Sequence, residues 1–209
     1  MSQDPLKSYR EKRDFALTPE PVSSDALKDM ALEQIFVVQK HDARNQHYDF
    51  RLEVDGVLKS WAVPKGPSTD PKEKRLAIMT EDHPLGYAKF EGMIPEGQYG
   101  AGTVIVWDIG SYRNTTEKDG QVIPMAEALK NGHASFWLEG KKIKGGYALT
   151  RTRMGWILVK MKDIEANSMD ILKAEPKSVL SGRTVEDIAD EPSIHKSYKG
   201  DERNKSNKQ

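Results

Sequence analysis

The chain has no cysteine among its 209 residues. That excludes a disulfide framework, thiolate zinc sites, iron–sulfur clusters and cysteine nucleophiles, and it fits a reducing compartment. Nor is there an apolar run near the roughly 18 residues that a membrane-spanning helix needs. The opening segment Met1–Phe15 lacks an apolar stretch, so no secretory signal is expected. Neither sign of charge is in excess, because 32 Lys and Arg balance 32 Asp and Glu. This excludes a uniformly basic surface. It leaves room for a local phosphate-binding cleft, since a few Arg, Lys and His on one face suffice. No internal repeat is evident. Charged residues make up 31% of the chain against 37% hydrophobic, a polar balance that points to exposed tails or a charged groove.

What is present is a succession of short β patterns. Ile35–Lys40 is rich in β-branched and aromatic residues. After the polar turn His41–Gln46, a second strand is expected at His47–Val54. Asp55-Gly56 is a two-residue hairpin signal leading into Val57–Val63. Further strands are expected at Leu76–Thr80, Thr103–Trp107, Ala134–Leu138, Tyr147–Thr152 and Trp156–Met161. Gly or Pro punctuates most gaps. Short helices are expected near Ser24–Leu32, capped by Ser23 or Ser24, and at Met125–Lys130. Many short, closely spaced strands indicate a mainly β fold, a compact antiparallel β-barrel with a few short helices, and not a βαβ architecture. The expected organisation is an N-terminal arm and short helix over residues 1–32, a barrel over 33–163, and a connector-like segment with a polar tail over 164–209. Ser197–Gln209 is expected to be a disordered tail.

The segment from His41 to Glu53 carries the most chemistry. Side chains alternate along a strand, so His47, Asp49, Arg51 and Glu53 share one face. Tyr48, Phe50, Leu52 and Val54 share the other, which is the core pattern. On the preceding strand Val37, Gln39 and His41 have matching parity. If the two strands form a hairpin, His41 near its tip meets His47 and Asp49. Two imidazoles and a carboxylate suit a first-row divalent metal: manganese, iron, cobalt, nickel or zinc. Arg51 beside such a metal makes sense if an anionic oxygen lies between them, and phosphate matches its bidentate fork. The competing reading is a solvated face of an amphipathic hairpin. A barrel with a polar lumen would be one form of the metal-site reading.

Other candidates are less specific. Glu81-Asp82-His83-Pro84-Leu85-Gly86-Tyr87 is either an ordinary turn or a functional loop. In the second case His83 donates a proton or binds phosphate as a neutral ring, and Tyr87 hydrogen-bonds an anionic oxygen. Glu91–Gly102 is glycine-rich but matches neither phosphate-loop spacing, and it reads as a tight loop feeding the next strand. Arg10, Lys12, Arg13 and Asp14 form a solvated charge run or a phosphate clamp. Lys65, Arg151 and Lys160 are candidates for a basic groove. His133 reads as a surface residue, and His195 receives no role. Core packing is the default for Trp61, Trp107, Trp137 and Trp156.

Taken together, these segments resemble one family. Phe36–Glu53, Ser60–Pro67, Glu81–Tyr87 and Phe90–Val104 are similar to the motifs of the 3′-phosphoesterase domain of bacterial DNA ligase D. Tyr9–Phe15 and Thr18–Pro21 fit the same pattern, and the order of motifs is kept from about Leu6 to about Asp163. The resemblance implies a compact β-barrel with a manganese site. Other divalent transition metals are alternatives. It implies healing of nucleic acid 3′ ends in non-homologous end joining: a phosphodiesterase step removes a terminal ribonucleoside, and a phosphomonoesterase step then leaves a 3′-hydroxyl. By motif match His41, His47 and Asp49 become metal ligands. Arg51, His83 and Tyr87 become the catalytic and phosphate-contacting group. Gln39, Glu81, Arg13, Asp14, Glu20 and Lys65 become supporting or substrate-binding residues. Lys177–Ala189 resembles the connector that precedes a ligase domain, so a stand-alone phosphoesterase domain is expected. Its partners would be primer–template 3′ ends bearing a ribonucleotide or phosphate, with a separate DNA ligase, a polymerase and Ku, and no membrane. A cytoplasmic, nucleoid-associated location follows. The family often has Trp where this chain has Tyr147, which implies a packing change only.

Two other classes compete. A 2-His-1-carboxylate oxygenase also uses two His and a carboxylate on a barrel. The spacing here differs from the usual one, and redox chemistry has no need of Arg51 beside the metal. A non-catalytic module that holds a 3′ end would not need His83 and Tyr87 beside the metal set.

Overall fold

The computed structural model describes residues 4–23 and 34–190. The helix expected at Ser24–Leu32, the tail Ser197–Gln209 and His195 lie outside these residues.

Strands β1 (Ile35–Asp42), β2 (His47–Val54) and β3 (Val57–Val63) form an antiparallel meander. Asp55 and Gly56 both take positive φ, 53° and 81°, as a two-residue hairpin turn of this type requires. β4 (Lys74–Met79) follows β3, and beyond a short β5 (Gly92–Ile94) runs the long β6 (Gly102–Asn114). A two-stranded ribbon, β7 (Glu117–Lys118) and β8 (Gln121–Val122), precedes helix α2 (Met125–Asn131). The chain then adds β9 (His133–Gly140), β10 (Lys144–Thr152) and β11 (Gly155–Lys160). Pairing in the order β1-β2-β3-β4-β11-β10-β9-β6, with β6 returning to β1, closes an eight-stranded antiparallel barrel. Closure leaves no exposed sheet edge among those strands. Every strand expected from the sequence is present, and β6 and β9 run longer than their patterns indicated. The short helix after Pro124 is also as expected.

Alternation decides what fills the barrel. Tyr48, Phe50, Leu52 and Val54 of β2 point inward with Phe36, Trp61, Trp107, Phe136, Tyr147 and Trp156. The lumen is therefore an apolar core, and the polar-lumen alternative is wrong. Tyr147 is fully buried and donates its hydroxyl to the Ser68 carbonyl. Trp137 departs from the core expectation. It lies between the buried Phe136 and Leu138, so it faces outward, where its indole N–H donates to Glu139.

The outward face of β1–β3 and β6 is covered too. Val37, Leu58, Val104 and Val106 pack beneath Tyr9, Tyr87, Ala88, Phe90 and Ile94. The cover is made by the arm that carries helix α1 (Lys7–Glu11) and by the segment after β4, which contains a 3₁₀ turn at Leu85–Lys89. Two further helices, α3 (Ile171–Ala174) and α4 (Val185–Ala189), follow the last strand. Val185 and Ile188 of α4 pack on Ile105, and α4 begins with a capping box between Thr184 and Asp187. Among the described residues, no helix is long and apolar enough to cross a membrane.

Candidate metal centre

The β1–β2 register places His41 opposite His47, Gln39 opposite Asp49 and Val37 opposite Arg51. All six project outward; five are buried, and His47 at the end of the hairpin is partly exposed. The solvated-face reading therefore fails: Asp49 is 7% and Arg51 2% exposed.

One ligand atom from each of His41, His47 and Asp49 lies within 4.8 Å of the others. His41 Nδ1 is 3.7 Å from Asp49 Oδ2, and His47 Nε2 is 3.8 Å from Asp49 Oδ1. The opposite nitrogens are tied to carbonyls: His41 Nε2 to Gly100 O and His47 Nδ1 to Asn45 O, each at 2.9 Å. A carbonyl only accepts, so each ring donates there. In its neutral form each ring turns a lone pair towards the carboxylate. Three electron-rich groups converge, and a cation resolves that repulsion. Atoms that each bind one ion at about 2.1 Å sit about 3–4 Å apart, and the two imidazole–carboxylate distances fall in that range. The carbonyl partners also fix tautomer and ring orientation, as metal-ligating histidines require. Burial opposes the charge on Asp49, but Arg51 beside it outweighs that and holds the carboxyl well below its ordinary range. The donor set fits a divalent transition metal and does not by itself select one.

Arg51 is engaged on every nitrogen. Nε donates to Gln39 Oε1 at 2.9 Å, Nη1 to Ser60 Oγ at 2.8 Å and Nη2 to Asp49 Oδ2 at 3.1 Å. Gln39 in turn donates to the carbonyls of Tyr87 and Phe90, which pins the cover to the barrel. His83 is bridged to β3 by backbone bonds to Leu58, and its Nδ1 lies 3.0 Å from Arg51 Nη1. Burial, then Arg51 and Arg13, push the His83 pKa well down, so the ring is neutral near pH 7. Of the two roles read from the sequence, a neutral donor or phosphate ligand fits, and an imidazolium acid does not. Tyr87 is buried, and burial with Glu20 nearby keeps it a phenol. Its hydroxyl donates to Glu20 Oε1 at 3.0 Å.

The cover contributes a chain of ion pairs. Arg13 Nε donates to Glu20 at 2.9 Å and its Nη1 to Glu81 at 2.8 Å. Lys12 also pairs with Glu81. Gln39, Arg13, Glu20 and Glu81 thus join the cluster around His83 and Tyr87. Asp14 and Lys65 lie elsewhere. Asp14 is exposed and its carboxylate caps its own turn by accepting from Ala16 N–H. Lys65 lines a cleft of about 550 Å³ with Lys40, Tyr48, Arg75 and the α3 segment, and no metal-ligand candidate lines it. Arg10 pairs with Asp4 instead of clamping phosphate. Lys160 lines no groove: it is buried and held by Asp163 and the Gly146 carbonyl.

Sequence reading missed Ser60 and the carbonyls of Asn45 and Gly100. Ser60 was findable, because the Asp55-Gly56 turn pairs Val54 with Val57 and hence Arg51 with Ser60. A backbone carbonyl has no side-chain signature.

A profile of the DNA ligase D 3′-phosphoesterase domain matches residues 39–151, over half of the chain. Among known relatives, the multifunctional non-homologous end joining protein LigD of Pseudomonas aeruginosa is 52% identical over 192 residues. That match covers 88% of this chain and 22% of the relative. The corresponding proteins of Mycolicibacterium smegmatis and Mycobacterium tuberculosis are 46% and 48% identical, each over 77% of this chain. They are covered over 21% and 20% of their lengths, so the chain spans about a fifth of these relatives. On the profile match, the chain belongs to the DNA ligase D 3′-phosphoesterase domain family.

Proposed function

We propose that this protein is a manganese-dependent 3′-phosphoesterase that heals nucleic acid ends for joining. It removes a terminal ribonucleoside as a phosphodiesterase, and as a phosphomonoesterase it converts the resulting 3′-phosphate to a 3′-hydroxyl. The observation that carries this reading is the pair of imidazole nitrogens facing Asp49 with the Arg51 guanidinium alongside. Such a centre holds a cation and an anion side by side, and a phosphoester is the anion that needs both. His41, His47 and Asp49 would hold the metal. When bound, it would neutralise phosphate charge as a Lewis acid.

The remaining roles belong to the chain. Arg51 offers its Nη2 edge to a phosphate oxygen and offsets negative charge as it develops. His83 is neutral, its Nδ1 is held against Arg51 and the Glu81 carbonyl, and its Nε2 is the ring atom that would meet the reacting oxygens. Tyr87 and Glu20 position Arg51 and Arg13 from the cover side. The substrates are primer–template 3′ ends carrying a ribonucleotide or a phosphate. A DNA ligase, a polymerase and Ku are the proposed partners, in the cytoplasm at the nucleoid. Family membership and the relatives' end-joining names support this assignment.

The test uses primer–templates ending in a ribonucleotide or in a 3′-phosphate, incubated with Mn²⁺, with chelator, and with His41→Ala protein. Metal-dependent conversion to a 3′-hydroxyl, lost in the variant, is expected. Retained duplex binding with no turnover would leave an end-binding module instead.

A further inference from the structure

We propose that Tyr99 is the stacking platform for the 3′-terminal nucleobase of the bound strand. The inference rests on the phosphoesterase reading and extends it to how the end is gripped.

Tyr99 stands in the glycine-rich segment between β5 and β6. It is 49% exposed, whereas Tyr9, Tyr48, Tyr87, Tyr112 and Tyr147 are each at most 5% exposed. Among the described tyrosines, this one open ring beside five buried ones is the observation to explain. Its position is fixed from both sides. The next residue, Gly100, gives its carbonyl to His41. Lys12 Nζ lies 4.6 Å from the ring centre and 3.4 Å from the hydroxyl, and the Arg13 guanidinium carbon lies 5.5 Å from the ring. Lys12 and Arg13 both hold Glu81, and Arg13 Nη2 is 3.5 Å from His83 Nε2. The ring therefore stands one residue from the glycine whose carbonyl meets His41, and the Arg13 guanidinium lies near both the ring and His83.

A purely structural tyrosine would gain by burying its ring. This one keeps half its surface in solvent beside two cations at the edge of a phosphate site. A strand end whose phosphate meets Arg51 carries its base one sugar away, and every base offers a π face to an aromatic ring. The platform accepts any base, as healing of arbitrary ends requires.

The experiment compares two 3′-phosphate oligonucleotides, one with a normal terminal base and one abasic at that position. Binding is read by fluorescence anisotropy in chelator, and KM and kcat by phosphate release in Mn²⁺. For the base-bearing end, Tyr99→Ala is expected to raise Kd and KM on the order of 10-fold with kcat retained. Tyr99→Phe and Tyr99→Trp restore both. For the abasic end, Tyr99→Ala and the unmodified protein should match. Equal losses on both ends, or no loss on either, would overturn the proposal. If the unmodified protein releases no phosphate but binding shows the base-dependent loss, the phosphoesterase reading fails and the platform stands.

Discussion

Arg51 shows how a single buried residue organises this site. Its guanidinium reaches Gln39, Ser60 and Asp49 at once, from β1, β3 and its own strand. Lysine keeps the charge but cannot span three acceptors. Arg51→Lys is expected to lower turnover at least ~100-fold, the scale of losing one positioned donor to a developing oxyanion. Each partner left unpaired in the interior destabilises by about 1–3 kcal/mol, which a thermal melt would register. His83 gives a pH dependence with a definite sign. Its folded pKa is depressed by burial and two arginines, so the unfolded chain binds the extra proton more readily. Stability from this residue is complete above about pH 6.5, the unfolded value, and declines as pH falls below it. Melts between pH 8 and 5 should show this decline, and His83→Gln should flatten it. At this scale the sequence was informative about types and parity. His41, His47, Asp49 and Arg51 were assignable to one face from alternation alone. The carbonyls that set the imidazole tautomers were not legible, because any residue supplies a carbonyl.

The β1–β2 hairpin is the element that holds the proposed metal ligands, and β6 braces it. Gly102 has φ +141°, and a Cβ there would lie 2.4 Å from the Asp42 carbonyl oxygen. A side chain at 102 must push the hairpin tip, which carries His41. Gly102→Ala is expected to destabilise by about 1–3 kcal/mol and to weaken Mn²⁺ binding. Gly97 also has positive φ, but a Cβ there meets nothing within 4 Å. Gly97→Ala should therefore cost about 1–2 kcal/mol from backbone strain and leave metal affinity unchanged. Calorimetric titration and melts of both variants separate the two effects. Long strands were readable because period-2 alternation repeats over six or more residues. β5, the β7–β8 ribbon, α1, α3 and α4 were missed, because each is five residues or shorter and repeats no period often enough to be seen.

For the whole molecule, the lesson is which side of the barrel does the work. The apolar face of β2 made the core legible, but it left the opposite face looking solvated. That face is buried because the arm and the segment after β4 lie across it, and neither has a strand or helix period long enough to reveal its destination. The two layers are joined by buried charge. Arg13 is held between Glu20 and Glu81, with side chains at most 4% exposed. Removing it takes the guanidinium from buried Glu20 and leaves Glu81 with Lys12. Arg13→Ala is expected to destabilise by about 3 kcal/mol and to make the arm sensitive to protease. A urea midpoint and a time course of limited proteolysis check both.

The central claim is that His41, His47 and Asp49 hold one divalent metal beside Arg51. Electron paramagnetic resonance titration of Mn²⁺ into the metal-free protein tests it directly. One bound ion per chain is expected at pH 7.5, with binding lost in His41→Ala protein of unchanged circular dichroism. Affinity should also fall in acid, because a metal competes with protons for its ligands. Binding of the same strength in the His41→Ala variant, or no binding by the unmodified protein, would contradict the account.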